Sequence, residues 1–440
     1  MSADYWSLTF DANGNIHNQG AAALVSEIVA SATSNLFVLS HGWGNTQQDA
    51  TNLYDTMFPL VRADPGCPAD ARFLGIFWPS IWFPDPPPAD QAAVAAAVSA
   101  GAPGAADAAV TGAAIAASVA PSMPTDAAKA LKQMGTLIDT GLAQVAAGTG
   151  TTAAHTEALG KFHALLGTVF GGPGVAMEDG GESPLLTSVD PKTAYQQLAE
   201  TMGSAPSAGD VEGLGDIFGK VWNGAKDALR IGSYFQMKAR AGDVGQKGLG
   251  PFLEQLLAAS PNIRVHLVGH SFGARLVSFA LAGTSSADAS PIASLTLVQG
   301  AFSHWAFTQK ADNPFAEAGA LSTFADRVHG PLVATWTLAD WAVGNWYPKA
   351  SFLSQQDAQG EEASGRWDGM GKDGFRGVTP SDDLTLPLAL PPTLAAGTFY
   401  RADANTVICD TSQSAFAGAH SDILHPEVAA LIVAAATAAR

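Results

Sequence analysis

The sequence predicts an α/β fold: a mostly parallel central sheet flanked by helices, with a large helical insertion. Three observations predict it. Short β-branched or aromatic runs bounded by turn residues recur along the chain, with helical stretches between them. Of the 440 residues, 47% are hydrophobic, enough to build a sizeable core. Between the strand-like run at 73–78 and the one at 264–268 there is no convincing strand pattern, and several amphipathic helical patterns recur.

Taken in order, "YWSLTF" (5–10) reads as an antiparallel edge strand, and "LFVLS" (36–40) as a buried strand leading to a helix through "TQQDATNLYDTMFPLV". "FLGIFW" (73–78) is a third strand and runs into the proline-rich "PSIWFPDPPP". Amphipathic helices follow in "AAKALKQMGTLIDTGLAQVA", "EALGKFHALLGTVF", "TAYQQLAETMG" and "LGDIFGKVWNGAKDALRIGSYFQMKARAG". "GLGPFLEQLLAAS" (248–260) is the helix that feeds the next strand, "RVHLV" (264–268); "LTLVQ" (295–299), "LVATWT" (332–337) and "TVIC" (406–409) complete the strands. Strands that alternate with helices imply a parallel sheet covered on both faces. The core is assigned to 1–84 and 246–440, and an Ala-rich helical cap to 85–245. Residues 91–120 hold 16 alanines, but Gly101, Pro103, Gly104 and Asp107 interrupt them, so no membrane span is expected. "VAALIVAAATAAR" at the C-terminus is too short to span and reads as a packed helix.

Charge narrows the partners. With 40 acidic and 22 basic side chains the net charge is -18, which argues against nucleic acid and anionic membranes. The opening "MSADYWSLTFDANGN" shows neither a basic start nor an apolar run, so a cytoplasmic location is expected. Cys67 and Cys409 lie too far apart in sequence to suggest a disulfide framework or metal site; Cys409, in "TVICD", is expected as a small buried thiol.

The chemistry is concentrated in "RVHLVGHSFGARL" (264–276), where a strand runs into Ser271 between Gly269 and Gly273 and then into a helix. Gly-x-Ser-x-Gly is what a nucleophile elbow needs, because side chains on the flanking residues would collide in so sharp a turn. A serine nucleophile also needs a base, an acid to orient the base, and donors for the oxyanion. After the earlier strand, "LFVLSHGWGN" supplies His41, Gly42, Trp43 and Gly44; the amides of Trp43 and Phe272 are the expected oxyanion donors, and His41 is expected to fix the loop. Asp340 ends "LVATWTLAD" among apolar neighbours and is the expected acid, with a helix N-cap as its structural alternative and Asp410 as its rival. His420, in a Gly-flanked loop before the last helix, is the expected base, and His425 its competitor.

The order Ser271, Asp340, His420 is nucleophile, acid, base. With "FVLSHGWGNT", "GIFWPS", "GHSFGARL" and "DWAVG", the chain resembles the α/β-hydrolases, and among them bacterial serine esterase or lipase-like members of unassigned function, over about 31–82 and 245–440. The resemblance implies an α/β-hydrolase fold and an ester, lipid, thioester, amide or epoxide substrate. With a serine nucleophile, hydrolysis of carboxylic esters is the expected activity, with peptidase, amidase or thioesterase activity, or a non-catalytic binding role, as alternatives. A small-molecule ester with a hydrophobic acyl or aromatic group is the implied substrate, with Trp82, Phe83, Trp222, Tyr234 and Phe235 available to meet it. No cofactor or metal is expected, and the oligomeric state is left open. Two motifs are set aside: "GMGKDG" (369–374) lies in a loop that opens no helix, and "DANGNIH" (11–17) lacks the glutamate of a calcium loop and reads as a turn.

Overall fold

The computed structural model describes residues 5–17, 20–80, 111–119, 125–170, 190–202, 214–285, 290, 292–346, 368–389, 392–412 and 417–438. Most of the Ala-rich segment, together with Trp82 and Phe83, lies outside them. In chain order the N-terminal elements are β1 (Trp6–Thr9), α1 (Ala21–Ala30), β2 (Asn35–Ser40), α2 (Gln47–Ala63) and β3 (Ala71–Phe77). Then come α3 (Gly112–Val119), α4 (Thr125–Ala146), α5 (Thr152–Phe170), α6 (Pro191–Met202) and α7 (Leu214–Asp243). A π-helical turn, Val244–Leu249, joins α7 to α8 (Gly250–Ala259), which leads to β4 (Arg264–His270), α9 (Phe272–Ala282), β5 (Ile292–Val298) and β6 (Leu332–Trp336). A second π-helical turn, Ala342–Trp346, precedes α10 (Met370–Asp373), β7 (Ser381–Thr385), β8 (Phe399–Asp403) and α11 (Pro426–Ala438).

The eight strands form one sheet in the order β1-β3-β2-β4-β5-β6-β8-β7, and every ladder is parallel. Alternation along each strand divides the core in two. Leu36 and Val38 of β2, with Leu74, Val265 and Leu295, enter one buried cluster; Phe37 and Leu39, with Phe73, Val268 and Val298, enter the other. The first cluster also holds side chains of α1 and of α3 to α9, whereas the second is closed by α2 and α11. Both faces are therefore covered, as an all-parallel sheet requires.

Two strand expectations are corrected. "YWSLTF" is an edge strand, but it runs parallel to β3, with Trp6 opposite Leu74 and Thr9 opposite Phe77. The chain reaches β3 from β1 through helical crossovers, and a crossover returns a strand parallel, whereas antiparallel pairing needs a hairpin. "TVIC" is a turn: Val407 and Ile408 both donate backbone N–H groups to Ala404 O while their side chains enter the second cluster. Cys409 is consequently exposed, not buried. The strand in that region is β8, a few residues earlier, and β7 beside it was not expected. β7 is a polar edge, "SDDLT", whose Asp383 takes two hydrogen bonds from Arg401 of β8 at 2.8 and 2.9 Å. A charged edge of this kind blocks further strand pairing.

Between β3 and β4 all secondary structure among the described residues is helical. The N-terminal half of α7 packs inside this layer. Trp222 is fully buried, donates Nε1–H to His155 Nδ1 at 3.1 Å, and lies so close to Gly141 that a Cβ there would sit 2.1 Å from the indole. Trp222 therefore fills the layer's own core. The C-terminal half of α7 instead meets the sheet domain: Lys238 O accepts from Arg275 Nε of α9 at 2.8 Å, and Arg240 Nη1 donates to Pro79 O at 3.0 Å. Burial pushes the Arg240 guanidinium down to about 10. Residue 246, the expected edge of the insertion, falls inside the π-helical turn of this continuous helical path. Among the described residues no helix is long and apolar enough to cross a membrane.

Candidate active site

The carboxyl ends of β2, β3, β4, β5, β6 and β8 lie along one edge of the sheet, the edge where α/β proteins gather functional loops. Ser271 stands between β4 and α9, with φ 58° and ψ -124°. A serine at positive φ is strained, by roughly 1–3 kcal/mol for such conformations. The surroundings hold it there: its N–H donates to Val298 O at 3.2 Å, and its carbonyl accepts from Ala274 N and Ala301 N. The flanking glycines are sterically required. A Cβ on Gly269 would lie 2.4 Å from Gly273 O, and one on Gly273 would lie 2.3 Å from Ser40 O.

His420 Nε2 lies 2.8 Å from Ser271 Oγ, and His420 Nδ1 lies 2.7 Å from Asp340 Oδ2. The carboxylate can only accept, so Nδ1 carries the proton and Nε2 is free to take the serine's. Asp340 follows β6, is 1% exposed, and also accepts Val343 N–H on Oδ1 at 2.9 Å. It thus caps the π-helical turn and accepts from the imidazole at once.

The loops carrying Asp340 and His420 are laced together. Ala419 N donates to Ala339 O and Trp341 N to Ala417 O, around a bridge between Asp340 and Gly418. Gly418 has φ 60°, and a Cβ on it would lie 2.3 Å from Ala339 O. From the other side His270, the variable residue of the elbow, lies with Nε2 2.9 Å from His420 O. As that oxygen can only accept, His270 donates. Burial first, and the neighbouring His420 second, push the His270 imidazole down to about 3, so it stays neutral beside His420.

The competitors go elsewhere. His425 Nε2 is bonded to Asp422 Oδ1 at 2.8 Å, and Asp410 is exposed, with its Oδ1 accepting from Ser412 N. His304, which has no expected role, is buried against Asp373 at 2.7 Å. "GMGKDG" contains the short helix α10, a correction to the expected loop: Gly371 N donates to Gly300 O, fastening it to the end of β5. Asp11 in "DANGNIH" accepts from the N–H groups of Asn13 and Asn15, forming the expected turn.

The loop after β2 closes on the serine. A Cβ on Gly42 would lie 2.6 Å from Ser271 Cβ and 3.1 Å from Oγ, so only glycine lets this backbone approach. Gly44 turns at φ 81° and donates to Ser80 O. His41 Nδ1 donates to Gly42 O at 2.9 Å, and its ring stacks on Trp78 with centroids 5.6 Å apart. The Trp43 ring lies over Phe272, with centroids 5.4 Å apart, and α7 adds Tyr234 against both rings at 5.4 and 5.1 Å. Phe272, first residue of α9, has an N–H with no acceptor inside its own helix. Among the described residues no group of three or more His, Cys, Asp or Glu could hold a metal ion.

Burial also pushes the His41 imidazole down to about 4. In the unfolded chain both this ring and that of His270 take up protons near 6.5, so stability is full above that pH. It is expected to fall as pH drops from about 6.5 through 4, at roughly 1.4 kcal/mol per pH unit per imidazole. Urea midpoints measured across this range should decline, and His270→Asn should reduce the slope; an unchanged slope would contradict the assignment.

In comparisons with known proteins, no family model, curated protein or solved structure matches the chain.

Proposed function

We propose that this protein is a serine hydrolase of the α/β-hydrolase type that cleaves carboxylic esters through an acyl-enzyme. The observation that carries the reading is the hydrogen-bonded line from Ser271 through His420 to a buried Asp340, built on a serine at positive φ. Ser271 Oγ attacks the ester carbonyl while its proton passes to His420 Nε2. Asp340 keeps the imidazole in the accepting tautomer and stabilises the imidazolium that forms. The amides of Trp43 and Phe272 hold the oxyanion, and His420 then protonates the leaving alkoxide. In the second half-reaction His420 takes a proton from water as the water attacks the acyl-enzyme, then returns that proton to Ser271 Oγ as the acyl–Oγ bond breaks and the acid leaves.

In this reading the helices of 85–245 form a cap over the carboxyl edge of the sheet. The packing of Tyr234 on Trp43 and Phe272 supports that placement, and its aromatic wall favours an apolar acyl or aromatic group.

The test is active-site labelling followed by a substrate panel. A fluorophosphonate probe is expected to modify the folded protein at the peptide containing Ser271. p-Nitrophenyl esters from acetate to dodecanoate are expected to be hydrolysed faster than the matching anilides. An unlabelled protein with no turnover on esters, thioesters or anilides would overturn the reading.

A further inference from the structure

The end of β5 carries a side chain that the reaction, as described, does not use. Gln299 is fully buried and, like Ser271, holds a positive φ, 47°. Its Nε2 donates to Asp340 Oδ2 and to Gly371 O, each at 2.9 Å. Its Oε1 accepts from Thr335 Oγ1 at 2.9 Å, and its backbone N–H donates to the same Thr335 oxygen at 3.0 Å. α10 closes over it so tightly that a Cβ on Gly371 would lie 2.9 Å from the Gln299 backbone. Both polar ends of the amide are thus committed, and the side chain cannot flip without placing its oxygen against the Asp340 carboxylate and Gly371 O.

We infer that Gln299 is a positioning residue for the acid. This rests on the serine-hydrolase reading. Asp340 Oδ2 receives two donors, His420 Nδ1–H and Gln299 Nε2–H, while Oδ1 receives Val343 N–H. Three donors set around one carboxylate fix its rotation about Cβ–Cγ, and with it the direction in which His420 Nε2 faces Ser271. Thr335 in turn fixes the amide of Gln299, so β5 and β6 together orient a charge that neither could orient alone. The placement asks for this: Asp340 lies four residues beyond the end of β6, on a loop, and a loop carboxylate needs outside bonds to stay still.

The role is testable because it acts through Asp340 alone. Gln299→Met keeps the length and loses the donor; kcat is expected to fall roughly 10- to 100-fold with KM little changed, the scale of one charge-assisted hydrogen bond. In an Asp340→Asn background the same change should cost little more, since of the three side-chain bonds it removes only the one to Asp340 reaches His420, and the carboxylate that bond serves is no longer present. An equal fractional loss in both backgrounds would mean a merely structural role and overturn the inference, as would full kcat in folded Gln299→Met. Should Gln299→Met not fold, the pair Thr335→Val and Thr335→Ser decides. Loss of kcat in the first, restored in the second, supports the inference, and equal rates overturn it. Fluorophosphonate labelling of the parent separates the two levels. A labelled parent with an inert Gln299 removes only this role, whereas an unlabelled parent removes the hydrolase reading and the inference with it.

Discussion

Ser271→Ala is expected to fold like the parent and to lose roughly 10⁴-fold or more in kcat on every ester the parent cleaves. The change deletes one oxygen whose partner in the site is His420 Nε2. Alanine keeps the Cβ that packs against Gly42 and is no more strained at φ 58° than serine. The backbone bonds to Val298, Ala274 and Ala301 survive, so the thermal midpoint should stay close to the parent's. Ester turnover and melting temperature measured on one preparation decide the matter. A folded variant retaining more than about one per cent of parental kcat would remove Ser271 from the chemistry.

Asp340→Asn should cost roughly 10³- to 10⁴-fold in kcat, through the wrong imidazole tautomer. The carboxylate sits among donors: His420 and Gln299 on Oδ2, and Val343 on Oδ1. An amide placed there must set its own NH₂ against a donor on one side or the other. With the NH₂ toward His420, Nδ1 becomes the acceptor, the proton moves to Nε2, and the serine loses its base. Asp410→Asn, at an exposed turn, is expected to leave kcat within about twofold. The opposite pair of results would move the acid to the segment after β8.

The candidate site was legible in the sequence wherever its marks are local. Ser271 is marked by the glycines that its turn requires, Asp340 by apolar neighbours that make a lone carboxylate expensive, and His420 by its place before a closing helix. Gln299 carried no such mark: a glutamine at the end of an apolar strand reads as a boundary residue, and its partners lie 36, 41 and 72 residues away. His270 was hidden for the same reason, since its bond to His420 O spans 150 residues. The strands followed suit. β2 to β6 are mostly apolar and buried on both faces, which is a strong signal. β7 is an exposed acidic edge and β8 alternates weakly, so the apolar pair Val407 and Ile408 drew attention to a turn instead.

The strand order has a consequence for how the chain is made. β3 can join β2 as soon as both have left the ribosome, but the other edge of β2 pairs with β4, which begins at Arg264. At 5–20 residues per second, the roughly 220 residues from Ser40 to Arg264 take on the order of 10–45 s to synthesise. Throughout that interval an apolar, unpaired edge, "NLFVLS", waits at the middle of the future sheet. Such an edge is a template for pairing with the wrong chain. The helices of the insertion emerge during this wait, and α7 and α8 arrive immediately before the missing strand. Truncated chains ending before Arg264 should therefore aggregate, or be held by chaperones, more than the full-length chain, in which both edges of β2 are paired.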